Sequence, residues 1–148
     1  MIRRGSGHKW RFLATPFIFA AVAGASCATG DVFQPKSEYP PDPYVKGYAD
    51  PQDCLGGENL AAISLDLPDY PRKAFRTGRQ GWVVVRLDVE PDGQVGDVSV
   101  EQAVPRKLFE RAAVDAVSAW QFEPPENEGL RNCRVLLRFR FGEVSLGG

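Results

Sequence analysis

From Gly81 the chain falls into a two-residue period that leaves few folds open. Val83, Val85, Leu87 and Val89 take one side of an extended strand, and Val84, Arg86, Asp88 and Glu90 take the other. A strand of this kind is half buried, with one side on a core and one toward water. Glu90-Pro91-Asp92-Gly93 supplies a turn in which glycine accepts a positive φ, and Val95 to Glu101 returns as a second strand with Val98 and Val100 inward. The product is a β-hairpin, which with a single apolar side requires a second layer to cover it.

The residues on either side supply that layer. Asp69 is an N-cap candidate ahead of Tyr70-Pro71, so a short helix is expected from Arg72 to about Thr77, ending at Gly78. After Pro105, the residues Leu108, Phe109, Ala112, Ala113, Ala116, Val117 and Trp120 recur at three- and four-residue steps, the spacing of an amphipathic helix. Pro124-Pro125 ends it. From Cys133 a last strand places Val135, Leu137, Phe139 and Phe141 on one side and Leu136, Arg138 and Arg140 on the other. The order helix, strand, strand, helix, strand predicts an α+β domain over residues 59–144, a small antiparallel three-stranded sheet with two helices packed on one face.

Two segments precede this domain. Arg3, Arg4, Lys9 and Arg11 lead into a mainly apolar run from Phe12 to Ala28, an export signature. Three fates are open for residues 1–28. Cleavage after Ala25 suits a signal peptide, Ala25-Ser26-Cys27 resembles the end of a lipoprotein signal with Cys27 as the lipidated residue, and retention makes a short inner-membrane anchor of residues 12–28. All three place the remainder in the cell envelope, on the periplasmic side. Residues 29–58 carry Pro35, Pro40, Pro41, Pro43 and Pro51, a composition that builds no core of its own and reads as a linker.

Charge and chemistry narrow the function. Lys plus Arg number 18 against 19 Asp plus Glu, so no basic field selects nucleic acid as partner. His8, the sole histidine, lies in the targeting segment, and no serine–histidine–acid set can be assembled. Neither cofactor motif nor metal-ligand spacing appears, so the expectation is a binding module with no enzymatic activity, cofactor or metal. In an oxidising periplasm Cys54 and Cys133 are candidates for a disulfide, with two unrelated thiols as the alternative.

Six short motifs then occur in order: Tyr70-Pro71; Gly81 with the strand Trp82 to Val89; Pro91-Asp92-Gly93-Gln94-Val95; Phe109-Glu110-Arg111-Ala112-Ala113; Ala119-Trp120-Gln121-Phe122-Glu123-Pro124; and Phe139-Arg140-Phe141. Together they resemble the TonB C-terminal domain family. The resemblance implies a domain that binds the TonB box peptide of a TonB-dependent outer-membrane receptor by strand addition. It implies support of energy-coupled uptake of iron chelates or other nutrients, with inner-membrane proton-driven motor proteins as further partners; apart from the resemblance, a sheet with a long terminal strand is open to a domain-swapped homodimer. The resemblance places the docking edge on the last strand, Val135, Leu136, Leu137, Arg138, Phe139, Arg140 and Phe141, and a receptor-proximal segment at Asp66, Asp69, Tyr70 and Pro71. Between Cys27 and Asp69 stand roughly 40 residues, which at ~3.1 Å each reach roughly 120 Å. That reach is short for spanning the periplasm and keeps a second reading open, a passive periplasmic or lipid-anchored adaptor that binds a protein without transducing energy.

Overall fold

A computed structural model describes residues 30–45, 54, 60–126 and 128–147. The targeting segment with Cys27 lies outside the described residues, as do residues 29, 46–53 and 55–58 of the expected linker and Asn59 at the start of the expected domain. Among the described residues, no helix is long and apolar enough to cross a membrane.

The elements run β1 (Ala62–Ser64), α1 (Arg72–Arg76), β2 (Gly81–Val89), β3 (Val95–Val104), α2 (Glu110–Val117), β4 (Gln121–Phe122), β5 (Leu130–Arg140) and β6 (Glu143–Leu146). The expected hairpin is β2–β3, with Gly93 at a φ of 83° in its turn. Helix α1 starts at Arg72 as expected, but its cap is not Asp69. Pro71 is its N-cap and makes no side-chain cap bond, and the Pro71 carbonyl accepts the first helical bond, from Phe75 N–H at 2.9 Å. The helix stops as foreseen at Gly78, whose φ of 59° lets Gly78 N–H reach the Phe75 carbonyl and Arg79 N–H the Ala74 carbonyl, a Schellman closure. Helix α2 is shorter than its apolar period. Ahead of it the chain turns, and the Glu110 carboxylate accepts the backbone N–H groups of Lys107, Leu108 and Phe109.

The sheet is larger than expected. It has four antiparallel strands in the order β3-β2-β5-β6, and β1 with β4 makes a separate two-stranded pair. The three expected strands occupy β3, β2 and β5. The fourth arises at Phe141-Gly142, whose φ values of 53° and 85° make a two-residue hairpin turn that folds β6 back on β5. Phe141 therefore leaves the core-facing set to which its spacing assigned it, and its side chain is 57% exposed.

The core forms on the expected side. Val83, Val85, Leu87 and Val89 of β2 and Leu137 and Phe139 of β5 are fully buried against Phe109, Ala113 and Val117. The Phe109 and Phe139 rings stack at 4.4 Å, and Trp120 and Phe122 close the end of the layer. The Trp120 indole N–H is satisfied by the Asp66 carbonyl at 2.9 Å.

The other side of the sheet is the larger departure. Val84, expected to face water, is 1% exposed, and Trp82 and Leu136 beside it are also buried. Their cover is the Pro-rich segment, where Val45 and Tyr39 pack onto these residues. Lys36 N–H and Ser37 N–H both reach the Gly78 carbonyl, at 2.8 and 3.2 Å, and Phe33 packs edge-on to Tyr70 and Phe75. Residues 31–45 build no core of their own, in keeping with their composition. They lie along the sheet as a strap and use its second apolar face. Burying one side chain the size of Val84 contributes at most ~1.5–3 kcal/mol, enough to hold a strap whose prolines restrict it in advance.

Candidate functional site

A peptide that adds a strand needs a row of unpaired backbone N–H and C=O groups. Strand β5 was expected to offer that row from Val135 to Phe141, and the register shows how much of it is covered. On its inner side β5 pairs with β2, from Gly81 opposite Phe139 to Val89 opposite Leu130. On its outer side β6 pairs Leu137 with Leu146, Arg138 with Ser145, Phe139 with Val144 and Arg140 with Glu143, and Gly147 N–H continues the ladder to the Leu136 carbonyl at 2.7 Å. The strand is thus an interior strand of the sheet over Leu136–Arg140, which corrects its expected place as an edge. The physical reason is the Phe141-Gly142 turn, which returns the chain alongside. Residues 130–135 have no described strand beyond them, and β3 forms the opposite, open edge of the sheet.

The cover over β5 is slight. Strand β6 has four residues, three of them exposed and only Val144 packing against the core. Antiparallel alternation directs the outward N–H and C=O groups of Leu136, Arg138 and Arg140 at β6.

Both arginines expected to meet a receptor are engaged within the chain. Arg138 donates from Nε to Asp42 Oδ2 at 2.8 Å, and its Nη2 lies 2.8 Å from the same oxygen. Its Nη1 donates to the Leu146 carbonyl at 3.2 Å. The Arg138 hydrogen bond is the chief reason the Asp42 carboxyl sits below the usual carboxylate range. The Arg140 guanidinium lies over the Tyr39 ring at 5.2 Å, and the Tyr39 hydroxyl donates to Asp42 Oδ1 at 2.7 Å. Burial, then the Asp42 hydrogen bond, raises the Tyr39 phenol. Of the other strand residues, Leu137 and Phe139 point into the core, Val135 is buried beside them, and Leu136 lies beneath the strap.

The segment expected to lie near a receptor divides. Asp66 and Asp69 are exposed. Tyr70 is structural, its ring edge-on to Phe33, Phe75, Phe109 and Phe139 and its hydroxyl donating to the Arg79 carbonyl at 2.6 Å, with burial pushing the phenol up to about 12. Pro71 opens α1. Cys54 and Cys133 are joined in a disulfide with 4.5 Å between their Cα atoms. No group of side chains suited to a metal ion occurs among the described residues.

Sequence reasoning missed three parts of this site. Strand β6 was signalled by Gly142 followed by the alternation Val144, Leu146. The strap was signalled by Tyr39, Tyr44 and Val45 among the prolines, of which Tyr39 and Val45 are the ones that dock. Gln80, the one buried polar residue among those described, carried no signal.

Comparison with known proteins bears on the whole arrangement. Residues 66–142 match the family model for the Gram-negative bacterial TonB protein C-terminal. Protein TonB of Pseudomonas aeruginosa is 33% identical over 94 residues, covering 64% of this chain and 28% of that protein. Protein TonB of Escherichia coli K12 is 40% identical over 63 residues, covering 43% of this chain and 26% of its own length. The chain thus spans between a quarter and a third of these curated relatives. The solution NMR structure of the Pseudomonas aeruginosa TonB CTD superposes with a TM-score of 0.50 at 29% identity, covering 60% of this chain and 93% of that one. The chain belongs to the family of TonB C-terminal domains.

Proposed function

We propose that this protein works in the periplasm as a TonB-like protein that binds the TonB box of TonB-dependent outer-membrane receptors and supports energy-coupled uptake of iron chelates or other nutrients. The receptor segment adds as a strand to the outer side of β5, taking the place of β6. The observation that carries the reading is the thin closure of β5, a long interior strand whose outer backbone groups are covered by four mostly exposed residues. Exchange of one strand for another conserves the ladder hydrogen bonds, so the peptide displaces β6 when its side-chain packing exceeds that of β6 by more than the entropy lost on association.

Ser145→Pro tests this. Ser145 pairs with Arg138 and is exposed, so proline there removes a ladder bond of β6 and leaves the core intact. A receptor-derived TonB box peptide, measured by calorimetry, should bind the variant several-fold more tightly than the native chain. Equal or weaker binding by the folded variant counts against displacement of β6.

A further inference from the structure

We infer that the sheet face formed by Gln80, Trp82, Arg138 and Arg140 is a recognition site for a proline-rich segment anchored by a carboxylate, that its ligand is the chain's own residues 37–45, and that the docked segment holds β6 on β5. The consequence for receptor binding rests on the function proposed above; the site itself does not.

The ligand character is legible in the contacts. Proline-rich backbone lacks N–H groups and presents carbonyls, which suits an aromatic donor. The Trp82 indole N–H donates to the Pro41 carbonyl at 2.9 Å. Asp42, between Pro41 and Pro43, takes the Arg138 guanidinium, Tyr39 lies under Arg140, and Val45 fills the space over Trp82, Val84 and Leu136. Pro40, Pro41 and Pro43 fix φ at three positions, lowering the entropy lost on docking.

Arg138, Gln80 and Leu136 join this segment to the β5–β6 hairpin, and Phe33, earlier in the strap, packs on the same hairpin. Arg138 holds Asp42 on one side and the Leu146 carbonyl on the other. Gln80 donates from Nε2 to the Ser37 carbonyl at 2.8 Å and accepts the Phe141 N–H on Oε1 at 3.0 Å, at the hairpin turn. Phe33 packs against that turn so closely that a Cβ on Gly142 would lie 2.9 Å from the Phe33 Cβ. Leu136 packs under Val45 and also lies against Gly147. Release of the strap removes one partner from each of these residues and loosens their grip on β6. It also frees residues 31–45, which at ~3.1 Å each add up to roughly 45 Å of tether. A pull from the N-terminal side reaches the strap first, so tension and an open β5 edge are linked.

The test is hydrogen exchange by NMR on the full chain carrying Tyr39→Ala/Asp42→Ala, with the Val85 amide in the central strand reporting that the fold persists. The Trp82 indole N–H and the Ser145 and Gly147 amides should exchange at least tenfold faster than in the native chain, while Glu38→Ala on the exposed side of the strap changes none of them. Adding the free peptide Ser-Glu-Tyr-Pro-Pro-Asp-Pro-Tyr-Val should restore protection of the Trp82 indole in the double variant. Unchanged indole exchange, or no response to the peptide, overturns the recognition site. Faster indole exchange with unchanged Ser145 and Gly147 overturns the hold on β6. If Val85 loses protection, Asp42→Asn alone is read by the same criteria. No receptor peptide enters these measurements, so a failure here is separable from a failure of receptor binding.

Discussion

Replacing Phe139 by alanine should cost about 4 kcal/mol of stability, whereas the same change at the next residue, Arg140, should cost less than about 1. Phe139 is fully buried, stacked on Phe109 at 4.4 Å and edge-on to Tyr70 at 5.8 Å. Truncating a buried phenylalanine costs roughly 3–5 kcal/mol through lost transfer energy and the cavity left behind, a range that already contains most of the aromatic pairing. Arg140 is exposed and loses only its guanidinium contacts over Tyr39 and Phe141, worth about 0.5–1 kcal/mol at such a site. Against a total of roughly 5–15 kcal/mol the first change is severe and the second nearly silent. Urea unfolding followed by tryptophan fluorescence measures both, with a common slope confirming the same transition. A Phe139→Ala loss under about 2 kcal/mol, or one no larger than that of Arg140→Ala, would refute the assignment of faces along β5.

Removing the Cys54–Cys133 link by Cys54→Ser/Cys133→Ser should lower stability by about 4 kcal/mol in the chain-entropy model, because the closed loop spans a sequence separation of 79. A urea midpoint equal to that of the oxidised native chain contradicts that figure. Glu110 should shape the acid limb of the stability curve. Burial pushes its carboxyl upward, but the backbone N–H groups of Lys107, Glu110, Leu108 and Phe109 outweigh this and hold it below the usual carboxylate range. Its contribution is therefore present above the unfolded-state pKa and lost as pH falls through the lowered folded value. Glu110→Gln should reduce stability at neutral pH and lessen the loss as pH falls through and below the ordinary carboxylate range; an unaltered pH profile in thermal melts contradicts it.

What the sequence disclosed follows from the range of its signals. Val83, Val85, Leu87 and Val89 declare their burial because the strand period is local and their cover, α2, carries its own period. Val84 and Leu136 were misassigned to water because their cover is Val45, far away in the chain and within a segment that shows no apolar period. Phe141 continues the two-residue count from Val135, Leu137 and Phe139, so the count alone placed it in the core. Its positive φ in the turn ahead of Gly142 reverses that, and with it the status of β5 as an edge. Tyr70-Pro71 drew attention as a receptor neighbour, yet Tyr70 is held by four aromatic rings and a backbone carbonyl. Arg138 and Arg140 look available from sequence spacing, and only the fold shows that the strap occupies both.

Amide hydrogen exchange of the native chain with and without a receptor-derived TonB box peptide tests strand addition at β5 most directly. On saturation, the amides of Leu136, Arg138 and Arg140 should stay protected, because the peptide replaces the ladder that β6 supplied. Those of Ser145 and Gly147 should lose protection as β6 leaves. Binding that keeps Ser145 and Gly147 protected and instead slows exchange along β3 would place the receptor segment on the opposite edge and contradict the proposed site.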